Sequence, residues 1–364
     1  MCAPELRLSR RLSRRLSRRR SPGQRGVSIV ELMVGIVVAL LIGLAASSSA
    51  MMFTASQRQA MGTGGVGIAA TSALAALKND AAMAGLGFFG DTNYLCEELA
   101  LSVNATVHSD SAAFTPLRIT STDDGDTIDV VYGERVESGA NVLLDAASDG
   151  SSANLMSLLP VAVGQAVLLA PAAPGDPCLV RSVTAVTAST DTTPQILSFG
   201  NAGLHNQGDF AADPAFAESD RITLLGALNW NRYRRNGNTL VLERPFSGDT
   251  AVLARDVIAL RAQYGLSADA ANSTTLESWQ DASGAFAVLT AAQLPRVRAL
   301  RLGIVTRSTQ REKPNADGEC EASLAKPQLF GADVEPDVDD WQCYRYRVAT
   351  VVVPLRNLVL GQKE

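Results

Sequence analysis

Only two histidines, His108 and His205, occur in 364 residues. That leaves little material for a histidine-rich metal site or a histidine-dependent catalytic centre. Both sit in Ser- and Asn-rich stretches and are predicted to lie on the surface. The five cysteines include no C-x-x-C pair, so the usual zinc spacing is missing. There is no G-x-S-x-G nucleophile elbow and no plausible triad, and the regular βαβ alternation of a nucleotide-binding sheet is absent as well. With 46% hydrophobic and 5% aromatic residues, and 32 bases against 37 acids, the chain is neither disordered, nor a small disulfide miniprotein, nor a basic nucleic-acid module. No catalytic residue, metal or cofactor is expected.

The charge is unevenly placed. Nine of the 32 basic residues fall in residues 1–25 against the single acid Glu5, leaving 23 bases and 36 acids, a balance of −13 for the rest. Such a body repels phosphates, so nucleic acid is an unfavoured partner. Directly after the arginine arm, Val27 to Ala46 has only Ser28 and Glu31 as polar residues. Twenty residues of this kind span about 30 Å as a helix and cross a bilayer. Positive charge holds the arm in the cytoplasm, which places the remainder on the far side. A carboxylate one turn into such a span is costly and calls for a partner.

Arg25-Gly26-Val27-Ser28-Ile29-Val30-Glu31-Leu32-Met33 resembles the signal of type IV prepilins and type II secretion pseudopilins. The resemblance implies cutting after Gly26 by a prepilin peptidase, methylation of the new N-terminus at Val27, and an assembly role for Glu31. Val27 stands where the family usually has Phe. An ammonium on Val27, four residues before Glu31, could offset much of the desolvation cost of both groups. Gly35, Ala39 and Gly43 form a small-residue stripe compatible with close helix packing.

Helical spacing resumes from Met52 to about Ala84. Ala69, Ala70, Ala73, Leu74 and Leu77 form an apolar stripe, with Lys78 and Asp80 outside it. Residues 62–67 match G-x-G-x-x-G, but no strand precedes them and no βαβ unit surrounds them, so dinucleotide binding is not implied. Four glycines in six residues, each costing about 1 kcal/mol against Ala, predict a kinked or melted joint. Asp80, Met83, Ala84 and Gly85, followed by Cys96, resemble the helix end of the large minor pilins of the PilW family.

Beyond Gly87, short strands are predicted at Thr127–Gly133, Gln165–Ala170, Leu179–Val186 and Asp256–Tyr264, the last with Ile258, Leu260, Ala262 and Tyr264 on one face. Further strands are expected at Val297–Arg307 and Tyr344–Leu355. Leu228–Arg235 and Asn238–Arg244 flank Asn236-Gly237, a strong hairpin signal. Residues 100–125 and 134–160 read as variable loops. The fold class is α+β, a long N-terminal helix, half membrane-spanning and half head-packed, against one or two antiparallel sheets. The divisions are a leader at 1–26, a span at 27–50, a helical continuation at 51–86 and a head at 87–364. Four cysteines remain past the leader and allow three pairings. Cys96 with Cys178 and Cys320 with Cys343 are favoured, the latter closing a loop at 320–343 worth about 3 kcal/mol on the loop-entropy model. Asp333, Glu335, Asp337, Asp339 and Asp340 in that loop lack EF-hand spacing and read as a solvated, partner-facing surface.

The family resemblance implies a non-enzymatic minor type IV pilin of the inner membrane, with its head in the periplasm, that passes into a filament at or near its tip. Its implied partners are the prepilin peptidase, other minor and major pilins, the inner-membrane assembly machinery and membrane lipid. Help in initiating pilus assembly is the implied role, with adhesion by the head as a further one. A type II secretion tip pseudopilin is the alternative within this architecture. A membrane-anchored exported enzyme or binding protein with an uncleaved anchor is the alternative outside it.

Overall fold

Helix α1 runs from Ile29 to Met83 without interruption in the computed structural model of the chain, which describes residues 28–88, 96–134, 140–172, 176–211, 214–268, 275–290 and 292–360. The leader, with Gly26 and Val27, lies outside the described residues. The chain divides into two units, Met1–Arg58 and Gln59–Glu364. In the first, Ile29–Met51 is apolar and long enough to cross a membrane.

The glycine-rich stretch 62–67, expected as a kinked or melted joint, is not melted but helical. A glycine keeps its i→i−4 hydrogen bonds, so its helix penalty is a modest entropic cost that tertiary contact can offset. At Gly67 that contact is visible. A Cβ built there would come within 3.3 Å of the Arg347 side chain, so the missing side chain makes room for a neighbour.

The strands are β1 (Glu98–Val103), β2 (Thr106–Ala113), β3 (Leu117–Thr122), β4 (Gly125–Gly133), β5 (Asn141–Leu143), β6 (Ser152–Leu155), β7 (Ala166–Ala170) and β8 (Cys178–Ser182). They continue with β9 (Ala185–Thr187), β10 (Gln195–Ser198), β11 (Arg221–Gly226), β12 (Leu228–Asn236), β13 (Thr239–Arg244) and β14 (Asp249–Arg255). Last come β15 (Val257–Ser267), β16 (Leu276–Asp281), β17 (Val297–Arg307), β18 (Gln328–Leu329), β19 (Ala332–Asp333), β20 (Tyr346–Pro354) and the short helix α2 (Arg356–Leu360). The class is α+β, but the strands form more sheets than the one or two expected. They pair in the orders β2-β1-β8-β7-β11-β5, β6-β10-β9, β14-β13-β12-β4-β3, β16-β15-β17-β20 and β18-β19.

Residues 100–125, expected as loop, instead hold most of β1 and all of β2 and β3. Strand β1 lies inside its sheet, parallel to β8 on one side and antiparallel to β2 on the other. It is buried on both faces from Leu99 onward and so lacks the alternation that marks a half-buried strand. Residues 134–160 likewise contribute β5 and β6.

The largest core joins the second half of α1 to two sheets. Ala70, Ala73, Leu74, Leu77, Ala81 and Ala84 pack with side chains of β3, β4, β12, β13, β15 and β17. Leu74 and Leu77 are 4% and 1% exposed, each worth about 1.5–3 kcal/mol of burial. From β15, Leu260, Ala262 and Tyr264 enter this core. Ile258 does not: a register shift between Val257 and Ala259 turns it to the opposite face, where it packs with Val305 and Leu329. The Tyr264 hydroxyl accepts the Ile119 N–H at 2.6 Å, and the buried Asp126 carboxylate accepts the Ala262 N–H at 2.7 Å. These two bonds lace the β3–β4 hairpin to β15.

Candidate functional site

Two places carry the features that the sequence singles out: the start of α1, and its end where it meets the head. At the start, Glu31 is the only charged residue in Ile29–Met51. Its Oε2 accepts the Ser28 N–H at 3.4 Å. This is the return half of a capping box, and the Ser-x-x-Glu spacing at 28–31 could have announced it. The apolar residues around it, from Ile29 to Leu44, are exposed in the single chain. Gly35 and Gly43 have open space where a side chain would stand.

At the other end Asp80 faces the head, not the solvent side of the helix. Its Oδ1 accepts the Tyr132 hydroxyl at 3.0 Å, and its Oδ2 accepts Asn231 Nδ2 at 2.6 Å and the Tyr233 hydroxyl at 2.5 Å. One carboxylate thereby ties α1 to β4 and β12. Burial, reinforced by the bonded carboxylate, pushes both tyrosine hydroxyls above the usual phenol range, so at neutral pH both keep the proton they donate to Asp80, while the Tyr132 oxygen also accepts Asn231 Nδ2 at 3.3 Å. The helix then ends within one turn. Gly85 and Gly87 take φ values of +78° and +90°, a region that suits glycine. The Gly85 N–H donates to Val131 O at 3.0 Å, and the Gly133 N–H to Leu86 O at 2.9 Å. The last carbonyls of the helix are capped from the far end of the chain: Asn357 Nδ2 donates to Met83 O at 3.2 Å and Ala84 O at 3.3 Å. This cap was missed in the sequence, because its two halves are 273 and 274 residues apart.

Of the predicted cysteines, the structure bridges Cys96 to Cys178 and Cys320 to Cys343. The first bridge joins the lead-in of β1 to the start of β8. The acids of the second loop are held by separate partners: Glu335 by Lys326, Asp337 by Arg307, Asp340 by Arg311 and Asp333 by Gln328. Among the described residues no group of three His, Cys, Asp or Glu is placed to share an ion. His205 is not a surface residue: it is 3% exposed, and its Nδ1 lies 2.8 Å from Ser102 O. Its ring and that of His108 both meet Phe246, with centroids 6.2 Å and 5.2 Å away. Burial lowers the pKa of each imidazole.

Residues 232–357, about a third of the chain, match the family described as Type IV Pilus-assembly protein W. No curated protein matches. Among solved structures, a type IV-like pilin from Thermus thermophilus aligns with 54% of this chain and 85% of its own, at 14% identity and a TM-score of 0.24. A superposition that loose adds nothing to the fold. The family segment begins one residue before Tyr233 and ends at Asn357, so it contains one of the hydroxyls that bind Asp80 and the amide that caps α1. With an apolar helix long enough for membrane anchoring and a head that grips its continuation, the chain is similar over residues 232–357 to the type IV pilus-assembly protein W family.

Proposed function

We propose that the protein is a minor type IV pilin whose precursor is cut between Gly26 and Val27 by a prepilin peptidase and methylated on Val27. The arginine arm keeps the N-terminus cytoplasmic and leaves the head in the periplasm. The mature subunit then enters a filament with other minor and major pilins through the inner-membrane assembly machinery, at or near the tip. There it helps to initiate assembly, and its head is free for adhesion. The observation that carries this reading is the lone carboxylate of the span. Glu31 stands five residues beyond Gly26 in a stretch otherwise without charge, where an unpaired acid costs about 2.5–3.5 kcal/mol at mid-membrane and less near the interface. Release of the Val27 ammonium supplies a counter-charge, which a neighbouring subunit can present as readily as the same chain. Glu31 must leave the Ser28 N–H to reach it, and that bond, at 3.4 Å, is long enough to give up at little cost.

The test is the intact mass of the membrane form together with the Glu31→Val variant. A chain beginning at methylated Val27, and a variant that inserts but stays out of pili, is the expected result. Retention of residues 1–26 refutes the processing step, and normal incorporation of Glu31→Val refutes the assembly role.

A further inference from the structure

A groove of about 610 Å³ opens between the β3–β4 turn and the β18–β19 hairpin, on the face of β15 turned away from α1. Its floor is apolar, made by Ile258, Ala259, Leu329 and Val334, the first three 5%, 7% and 3% exposed. Its lining holds six acids and two arginines. Both arginines are already matched. Arg235 pairs with Asp124, and its Nε donates to Asp124 O at 2.6 Å. Arg261 pairs with Asp126 at 3.5 Å. Asp123 and Asp333 stand exposed on the rim with no cationic side chain in ion-pair range among the described residues, and Asp281, also exposed, feels the charge of Arg301, which stacks on Phe330 of the lining. Asp281 and Asp333 accept only the amides of Gln263 and Gln328.

An apolar floor under a rim that carries more carboxylates than cations is complementary to an extended peptide that alternates apolar and basic side chains. The volume suits about four residues of such a chain, and it falls in the usual range of ligand sites. We infer that this groove docks a basic, extended segment of another pilus subunit, its lysine or arginine heads on Asp123, Asp281 and Asp333 and its apolar side chains on Leu329 and Ile258. The inference rests on the filament-subunit reading only in naming the source of that segment.

The experiment uses the full chain in micelles of a neutral detergent and a fluorescein-labelled Lys-Leu-Lys-Val-Lys peptide, at about 50 mM salt to limit screening. Saturable binding is expected. The triple change Asp123→Asn, Asp281→Asn and Asp333→Asn should weaken it at least about tenfold, because three direct charge contacts are removed. The same charge change on exposed acids elsewhere, Asp191→Asn, Asp209→Asn and Glu218→Gln, should weaken it less than about threefold. Asp123→Lys alone, in an exposed turn that tolerates change, should reproduce part of the loss if the triple variant folds poorly. Equal loss in both triples would mean a diffusely acidic surface and overturn the site. So would absence of binding, or equal affinity for Lys-Ser-Lys-Ser-Lys. Loss of peptide binding by the groove triple with pili of normal number and composition removes the subunit as the source and leaves the pilin reading standing. Absence of the wild-type chain from pili, with peptide binding intact, does the reverse.

Discussion

Replacing Asp80 by alanine should loosen the end of α1 from the head by about 2–5 kcal/mol. The figure follows from what the carboxylate leaves behind. Tyr233 is 1% exposed and would lose its acceptor inside the protein, and Asn231, 8% exposed, would keep only the Tyr132 hydroxyl at 3.3 Å. A buried donor left unmade costs about 1–3 kcal/mol. Tyr132, half-buried, adds little because water can reach it. Asp80→Asn keeps the volume and one acceptor oxygen and loses only the charge-assisted part, so its cost should be about 1–2 kcal/mol. The measurement is urea unfolding of the full chain in neutral micelles, joined to amide exchange over residues 70–84. The order wild type, Asp80→Asn, Asp80→Ala should appear in both. A change below about 0.5 kcal/mol for Asp80→Ala, the range of an ordinary surface substitution, would show that the carboxylate is solvated and refute the clamp. The same site sets an alkaline limit. Both phenols have folded pKa values raised from 10, so their stabilisation is complete below pH 10 and is lost as pH rises above it, where the unfolded chain ionises first. Wild type should weaken from about pH 10 upward more steeply than a Tyr132→Phe, Tyr233→Phe double variant.

Asn357→Ala uncaps two helix carbonyls and should cost about 1 kcal/mol, read as a lower unfolding midpoint with faster exchange confined to the last turn of α1. Gly87→Ala must hold φ +90° with its Cβ 2.6 Å from Leu225 Cδ2, which should cost about 1–3 kcal/mol. A melting temperature equal to wild type would show that the turn can rearrange. The two histidines have folded pKa values lowered by burial from 6.5. Stability is therefore present above the unfolded value and lost as pH falls below about 6.5, where the unfolded chain takes up protons first. An acid titration followed by Trp230 fluorescence, 6.3 Å from His108 between ring centroids, should report it, and a His205→Gln variant should flatten the profile.

Features with a local signature were legible in the sequence. The apolar helix Ile29–Met51 is a matter of composition, the Asn236-Gly237 hairpin of turn chemistry, and the stripe from Ala70 to Leu77 of helical period. Asp80 reads in sequence only as a residue outside the apolar stripe, because its partners lie 52 to 153 residues away. His205 was misread for the same reason, since Ser102 O is 103 residues distant. Ile258 shares a face with Leu260 by alternation, and one bulge turned it to the opposite one. The glycine run was judged on intrinsic cost alone, with Arg347 beside Gly67 beyond any local reading. At the candidate site the place of Glu31 in the apolar run is plain in sequence, whereas the clamp and the cap that fix the helix end are not.

The Cys96–Cys178 bridge allows the grip on α1 to be separated from the rest of the head. β1, β7, β8 and β11 lie in one sheet and contribute to two clusters distinct from the one that holds α1. The family-matched segment 232–357 contains none of these strands. On the proposed filament role, the subunit needs one fixed joint between helix and head, and packing there tolerates little change. The other sheet can vary so long as its own core and crosslink persist. A Cys96→Ser, Cys178→Ser double variant removes a closure across 82 residues, worth about 4–5 kcal/mol on the loop-entropy model. If the two parts open separately, amide exchange should quicken in β1, β7 and β8 while residues 70–84 keep their wild-type protection. Equal acceleration in both would mean that the head opens as one cooperative unit, and the division between a constrained grip and a freer sheet would fall with it.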